Sequence, residues 1–163
     1  MREVLDLLAE AAEWTAARGH PNWPARFSTR LITKAIDAGE LFVAEIDSRT
    51  VATLQLQWSD PRFWGDIDAD ADAGYVHRLA VRRTDAGHGL GARLLDWADQ
   101  QIRARDRSWL RIDVVSGNAP LRRYYESVRF LYRHDVEGEF VTNDGERRQW
   151  KTSLYERPSH RSG

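Results

Sequence analysis

With 163 residues, the chain is long enough for one domain with a substantial hydrophobic core, and its formal net charge of -1 offers no basic field for nucleic acid. It contains no cysteine, which excludes disulfides, thiolate metal ligands and a cysteine nucleophile. No apolar stretch reaches the length of about 18 residues that a membrane span needs, and acidic residues interrupt the start, where a signal peptide would be apolar. We therefore expect a cytoplasmic protein without a membrane partner or a bound metal.

The first half of the chain predicts two helices and a β-hairpin. Apolar residues at helical spacing predict an amphipathic helix from about Arg2 to Arg18. Ser28 is a good N-cap for a second helix, which Gly39 ends. Two strands follow, at residues 41–46 and 51–58, and the second strand alternates apolar and polar side chains.

The second half predicts four more strands and two helices, after an aspartate-rich loop at residues 59–74. The strands are expected at residues 75–81, 109–115, 130–136 and 147–155, with a turn at residues 143–145 between the last two. One helix follows three glycines and runs to about Arg105, and the other can be capped by Asn118. This order predicts a single α/β domain over residues 1–157, with a mixed, mostly antiparallel sheet flanked by helices, and a disordered tail at residues 158–163.

The passage from the central strand, residues 75–81, to the next helix has the parts of a phosphate site. Its glycines stand at alternate positions: Gly87, Gly89 and Gly91. Glycines let backbone N–H groups approach a ligand without a Cβ in the way, and the helix start adds unpaired donors and the positive end of its dipole. Glycines also serve tight turns that bind nothing, so the placement between a strand and a helix is what favours a phosphate-bearing ligand.

With these elements placed, the chain resembles the GNAT superfamily of acyltransferases, which move an acetyl or related acyl group from coenzyme A to an amine. The resemblance runs from the first helix to the last strand, and two motifs carry it: AGHGLGARLL after the central strand and NAPLRRYYESVRF at residues 118–130. Ala86 stands where the family has Gln or Arg, and Arg129 stands where Gly is usual. The strand that usually precedes the first helix is absent or trimmed, so we expect an exposed sheet edge.

The resemblance implies a site for acetyl-CoA. Backbone N–H groups of the glycine turn would hold the pyrophosphate, including that of Ala86, and those at the end of the central strand would polarise the thioester carbonyl. The implied cofactor-binding residues are Leu79, Ala80, Val81, Ala86, Gly87, His88, Gly89, Leu90, Gly91, Ala92, Asn118 and Tyr125. Arg129 is expected to need a positive φ, at a cost of about 1 kcal/mol.

Two residues are candidates for proton transfer. The resemblance implies that Tyr125, seven residues after Asn118, is the general acid that protonates the departing thiolate. The alternative is that these aromatic residues only pack on the helix face, which we expect for one of Tyr124 and Tyr125. His77 is a candidate general base because imidazole titrates near neutral pH, and a structural histidine is an equal alternative. By strand alternation, Arg78 is expected to point away from His77 and to be a structural ion-pair partner.

The acceptor amine is expected to contact aromatic and polar residues before and on the central strands. The candidates are Trp23, Trp58, Trp64, Tyr75, His77 and Asp113. Trp14 is expected in the core. The aspartates of the loop can attract a cation, although a solvated loop is the preferred interpretation of Asp60, Asp66, Asp68, Asp70 and Asp72.

The leading functional hypothesis is an N-acetyltransferase that acts on a small-molecule primary amine by direct transfer in a ternary complex. One alternative is a non-catalytic domain that binds or senses acyl-CoA. Another is a transferase that uses aminoacyl-tRNA, which the balanced charge disfavours and for which the only clustered basic candidates are Arg103, Arg105, Arg107, Arg122 and Arg123. The sequence leaves open a homodimer and the identity of the amine.

Overall fold

The computed structural model describes residues 1–21, 23–65, 72–141 and 145–159. The helices in this part of the chain are α1 (Arg2–Ala16), α2 (Thr29–Asp37), α3 (Pro61–Trp64), α4 (Leu90–Arg103) and α5 (Ala119–Ser127). The strands are β1 (Leu41–Ile46), β2 (Arg49–Gln57), β3 (Ala73–Val81), β4 (Trp109–Val115), β5 (Leu131–Val141) and β6 (Arg147–Pro158). All predicted helices and strands are present, and α3 is an addition that is too short to produce a helical period in the sequence.

The strands form one six-stranded sheet in the order β1-β2-β3-β4-β6-β5. The pair β3–β4 is parallel, and the other four strand pairs are antiparallel. This arrangement confirms the predicted mixed, mostly antiparallel sheet flanked by helices. None of the helices in the described ranges is both long and apolar enough to cross a bilayer.

Two hydrophobic clusters cover the two faces of the sheet. One contains Leu95 and Ile102 of α4 and Tyr125 of α5, with Leu79 packed against it. The other contains residues of α1 and α2 together with Ala80. Because consecutive strand residues point to opposite faces, Leu79 and Ala80 show that the two clusters lie on opposite sides of the sheet.

The caps and turns explain where the helices begin and end. The Ser28 side chain accepts a hydrogen bond from the Leu31 N–H at 3.2 Å, and the Asn118 side chain accepts one from the Leu121 N–H at 3.1 Å. Both predicted N-caps are therefore confirmed. Arg129, just after α5, has a φ of 70°, which confirms the expected left-handed conformation.

A β-bulge interrupts the pairing of β3 with β2. His77 pairs with Gln55 and Ala80 pairs with Thr53, so the two residues between His77 and Ala80 oppose one residue of β2. The first of them, Arg78, has a φ of 51°, which is unusual for a residue with a Cβ. The extra residue shifts the alternation of side chains along β3 by one position.

The bulge places Arg78 on the same face as His77. Nη1 of Arg78 donates a hydrogen bond to Oε1 of Gln55, the residue that pairs with His77. The prediction that Arg78 points away from His77 is therefore wrong, because strand alternation holds only where no residue is inserted.

Pairing between β3 and β4 covers only part of their lengths. It runs from Ala73↔Trp109 to Val76↔Ile112, although β3 continues to Val81 and β4 to Val115. Beyond this point β4 stays paired with β6, up to Val115↔Thr152. The sheet therefore opens between the second halves of β3 and β4.

The two ends of the described chain differ from each other in how they meet the sheet. α1 begins at Arg2, and β1 lies at an edge of the described sheet with Val43 and Ile46 exposed, in agreement with the expected exposed sheet edge. β6 extends through Pro158, and the hydroxyl of buried Ser159 donates to the Asp99 carbonyl at 3.0 Å. The predicted disordered tail is therefore wrong for residues 158–159, because β4 and α4 supply hydrogen-bond partners.

Several predicted features fall on parts of the chain outside the described residues. These are the aspartates Asp66, Asp68 and Asp70, the turn residues Asn143 and Asp144, and the tail at residues 160–163.

Replacing Arg129 by glycine should stabilise the protein. The left-handed conformation costs a residue with a Cβ about 1–2 kcal/mol, which exceeds the entropy that an unfolded glycine gains. We expect the free energy of unfolding to rise by about 0.5–1 kcal/mol in urea denaturation. Arg129→Ala keeps the Cβ and should show no gain. Equal stabilisation by both variants would mean that the arginine side chain, and not φ, is responsible.

Candidate active site

Two cavities lie beside the open part of the sheet. The first has a volume of about 460 Å³ and lies between the end of β3, the glycine turn and α5. The second has a volume of about 350 Å³ and lies where β3 and β4 separate. Both are lined by Trp23, Leu79, Leu121 and Tyr125. Since the cavities share these walls, two ligands can be held side by side.

The glycine turn is shaped to receive an anion in the first cavity. Gly87 has a φ of 85° and Gly89 a φ of 74°, and a Cβ at either position would meet no protein atom within 4 Å. Gly89 is the N-cap of α4 and offers no side chain to the first N–H groups of the helix. The first helical hydrogen bond runs from the Arg93 N–H to the Gly89 carbonyl, at 3.0 Å. The N–H groups before Arg93 are therefore available to a ligand such as a phosphate.

The third glycine serves packing. A Cβ at Gly91 would lie 2.6 Å from the hydroxyl oxygen of Tyr124, so only glycine lets this tyrosine approach the start of α4. Gly91 also lines the first cavity.

A cation and an aromatic ring that were not predicted for the site also line the first cavity. The guanidinium of Arg83 lies over the ring of Trp14, 4.0 Å from its centroid. Trp14 was predicted to be a core residue. Two arginines, Arg82 and Arg83, stand shortly before the glycines, and this is the sequence signal that could have indicated Arg83 as a site residue.

The acidic residue of this turn is neutralised by a neighbouring arginine. Asp85 accepts two hydrogen bonds from Arg49, at 2.7 and 2.9 Å, and these lower the pKa of its carboxyl to about 2. The Ala86 N–H donates a long hydrogen bond to the Arg83 carbonyl, at 3.4 Å, so it is less available to a ligand than predicted.

Most of the predicted cofactor-binding residues line the first cavity. They are Leu79, Ala80, Val81, Ala86, Gly87, Gly89, Leu90, Gly91 and Tyr125. His88, Ala92 and Asn118 are not in its lining. Asn118 is buried, and its side chain is occupied as the cap of α5.

Tyr125 stands at the junction of the two cavities. Its ring packs edge-on against Tyr124 and Phe130, with centroids 5.3 and 5.5 Å away. Burial raises the pKa of the Tyr125 phenol well above its usual value, and the nearby Tyr124 and Asp113 add to this effect. The phenol therefore stays protonated at neutral and moderately alkaline pH.

His77 lies in the second cavity between two carboxylates. Its Nδ1 is 3.2 Å from Oδ1 of Asp113, and its Nε2 is 3.5 Å from Oδ2 of Asp60. Both ring nitrogens of His77 therefore face a carboxylate oxygen. The sequence indicated Asp113 as a site residue, whereas for Asp60 a solvated loop was preferred to attraction of a cation.

The same three side chains are able to hold a divalent cation. One ligand atom from each of Asp60, His77 and Asp113 lies within 4.8 Å of the others. Imidazole and carboxylate ligands suit several transition metals.

Three predicted acceptor contacts lie away from both cavities. Trp58 packs beneath the guanidinium groups of Arg105 and Arg107, 4.1 and 5.2 Å from its ring centroid. Trp64 and Tyr75 are buried, with ring centroids 5.9 Å apart. In this structure Trp58, Trp64 and Tyr75 make packing contacts, and their contact with the acceptor stays a prediction.

The second cavity contains side chains that the sequence did not indicate. Its lining includes Pro24, Phe27, Arg62, Phe63 and Arg78, in addition to the predicted Trp23, His77 and Asp113. Phe27 comes from the connector before α2 and Phe63 from α3, so they reach the cavity only through the tertiary fold.

The comparisons with known proteins agree with this geometry. Residues 3–130 match the Acetyltransferase (GNAT) family. The chain is 34% identical over 137 residues to the uncharacterized N-acetyltransferase YesJ of Bacillus subtilis (strain 168), covering 79% of this chain and 75% of that protein.

Solved structures show the same fold. A GNAT family acetyltransferase from Listeria monocytogenes superposes with a TM-score of 0.70 at 21% identity, covering 94% of this chain and 86% of the other. A GNAT family acetyltransferase from Elizabethkingia anophelis with acetyl-CoA bound has a TM-score of 0.59 at 16% identity, covering 80% and 83% of the two chains.

GNAT proteins use acetyl-CoA, the cofactor that the resemblance implies and that carries the phosphate expected at the glycine turn. The free N–H groups at Gly89 and the start of α4, the open space at Gly87 and the apolar walls near Leu79 fit such a molecule. By the family match and by its identity to the Bacillus protein, the chain belongs to the GNAT family of acetyltransferases.

Proposed function

We propose that the protein transfers an acetyl group from acetyl-CoA to a primary amine of a small molecule, by direct attack in a ternary complex. The observation that carries this proposal is the meeting of the two cavities at Leu79 and Tyr125. One cavity ends in an anion-binding turn, and the other contains a histidine flanked by carboxylates.

The first cavity would hold acetyl-CoA. The N–H groups at the start of α4 would bind its pyrophosphate, and the Arg83 guanidinium would add a positive charge nearby. When bound, acetyl-CoA supplies an activated acetyl group, whose C–S bond breaks as the C–N bond to the amine forms. Backbone N–H groups at the end of β3, from Leu79 to Val81, would stabilise the charge that develops on the carbonyl oxygen.

The second cavity would hold the amine and remove its proton. His77 takes a proton from the ammonium group, and Asp113 and Asp60 stabilise the resulting imidazolium. The neutral amine is then a nucleophile beside the first cavity. Holding both reactants in place supplies much of the rate, because a bimolecular step becomes an intramolecular one.

Tyr125 would assist the departing sulfur. Its buried phenol is protonated at working pH and donates to the sulfur as negative charge develops there. The amine loses two protons in the whole reaction. One leaves through His77, and the second replaces the proton that Tyr125 gives to the thiolate.

Gly89→Asp should abolish binding of coenzyme A, because it places a negative charge in the phosphate turn. Gly89→Asn is the matched control, since it bears the same left-handed strain without the charge. We expect the asparagine variant to retain measurable affinity in isothermal titration calorimetry and the aspartate variant to show none. Unchanged affinity in a folded aspartate variant would remove this turn from the cofactor site.

Tyr125→Phe should lower kcat by about 10²- to 10⁴-fold, the usual effect of losing a general acid. The Kd for acetyl-CoA should change little, because the hydroxyl acts in the transition state. Thiol release from acetyl-CoA in the presence of an amine library measures the rate and separates a transferase from a binding domain. Since burial raises the pKa of Tyr125, deprotonation of its phenol should not reduce the wild-type rate below about pH 10.

The remote substitution Tyr132→Phe, on β5, is the control for this series and should leave the rate unchanged. Full activity of Tyr125→Phe would show that the thiolate leaves without a proton from this residue.

His77→Gln should remove the acidic limb of the pH–rate profile. In the wild type the rate falls at low pH, because a protonated imidazole cannot accept a proton. The variant should be about 10²-fold slower at neutral pH and should approach the wild type as the pH rises and the free amine forms. EDTA should not affect the wild type. Loss of activity in EDTA, restored by a divalent cation, would assign Asp60, His77 and Asp113 to a metal instead.

A further inference from the structure

Arg78 occupies a backbone position that favours glycine. Its φ of 51° lies in the left-handed region, where an arginine bears a strain of about 1–2 kcal/mol. The bulge directs its side chain into the second cavity, whose lining it shares with His77 and Asp113. Because strained residues are concentrated at functional sites, the strain at Arg78 indicates that its side chain takes part in binding or catalysis.

The positive charge of Arg78 has no anionic partner in contact with it within the described ranges. Nη1 donates to the neutral carbonyl oxygen of Gln55, and the guanidinium lies 5.4 Å from the ring centroid of Phe27. Its Nε is buried and lacks a hydrogen-bond acceptor among the described residues. Burial lowers the pKa of Arg78, an effect that Asp113 and Glu40 oppose from a distance. A partly buried cation whose Nε lacks an acceptor is costly unless a ligand supplies the anion.

Neighbouring side chains hold Arg78 in place without neutralising it. Nε2 of Gln55 donates to Glu40 at 2.8 Å, which fixes the orientation of the amide and turns its carbonyl oxygen towards Arg78. The same Glu40 oxygen accepts from Nε2 of Gln57 at 2.9 Å. The negative charge of Glu40 is thus satisfied by two amides, and Arg78 is held ready for another acceptor.

The cavity places opposite charges around one small volume. The carboxylate of Asp113, next to His77, supplies a negative charge, and Arg78 provides a cation on the same face of the sheet. A second cation, Arg62, also lines it, with its guanidinium 4.9 Å from the Phe63 ring centroid. A volume of about 350 Å³ suits a small molecule that carries both an ammonium group and an anion.

We propose that the acceptor is a zwitterionic small molecule in the manner of an amino acid, with its amine at His77 and Asp113 and its carboxylate bound by Arg78. The planar guanidinium fork matches a carboxylate, which can accept two parallel hydrogen bonds from it. This assignment rests on the proposed function, because it takes the second cavity as the acceptor site. Arg78 is a specificity-determining residue that contacts the part of the acceptor away from the reacting amine.

The test compares acceptors with and without the carboxylate, and rates are expressed per unprotonated amine because amidation also lowers the pKa of the α-amine. Free L-amino acids and their C-terminal amides are offered with acetyl-CoA, and kcat/KM is measured from thiol release. The wild type should prefer the acids by about 10- to 100-fold, the range for hydrogen bonds to charged groups. A wild type that uses the amides as well as the acids overturns the assignment of Arg78 and leaves the proposed transferase intact.

The variants Arg78→Gly and Arg78→Lys separate recognition from structure. Glycine removes the charge and also relieves the positive φ, so the bulge should be preserved. The preference for acids should vanish in Arg78→Gly, through a higher KM for the acids alone, and should be partly kept in Arg78→Lys. A merely structural role would lower the rates of acids and amides equally, and that result would overturn the proposal. If neither the acids nor the amides release thiol although calorimetry shows coenzyme A binding, the zwitterion site is refuted. If the whole amine library fails as well, the transferase is refuted too.

Discussion

The end of pairing between β3 and β4 after Val76↔Ile112 is the constraint on which the site depends. A continuous ladder of hydrogen bonds would close the sheet and leave no passage from one cavity to the other. Where the strands separate, Leu121 and Tyr125 of α5 border the opening and line both cavities. The backbone groups released near the end of β3 become available to ligands, as is common where irregular backbone borders a binding site.

The bulge at Arg78 determines which charged side chains line the second cavity beside this opening. Without the inserted residue, alternation would place Arg78 and His77 on opposite faces. With it, a histidine between two carboxylates and an arginine held by Gln55 share one cavity. The same shift directs Leu79 into the core and Ala80 towards α1, so the bulge also determines how the helices pack on both faces.

The rest of the sheet stabilises this open region. β6 pairs with β4 along the whole of β4 and with β5 on its other side, which keeps the second half of β4 in place after it leaves β3. Arg157 of β6 reaches Asp96 and Asp99 of α4 and ties the strand to the helix. The Arg157 side chain is buried in these contacts, so it fixes β6 against α4 at the end of the sheet where β4 pairs with both β3 and β6.

The sequence by itself determined the features that depend on neighbours along the chain. Helical period, the caps Ser28 and Asn118, and the glycine turn are local patterns, so they predicted the elements and the phosphate end of the site. Only the tertiary structure decided which side chains line the second cavity, the proposed acceptor site. The bulge in the β2–β3 register places Arg78 in the second cavity. Trp58 packs against an arginine and does not line either cavity. Pairing with β4 extends β6 to Pro158. Strand register and side-chain packing depend on residues far apart in sequence, so no local pattern predicts them.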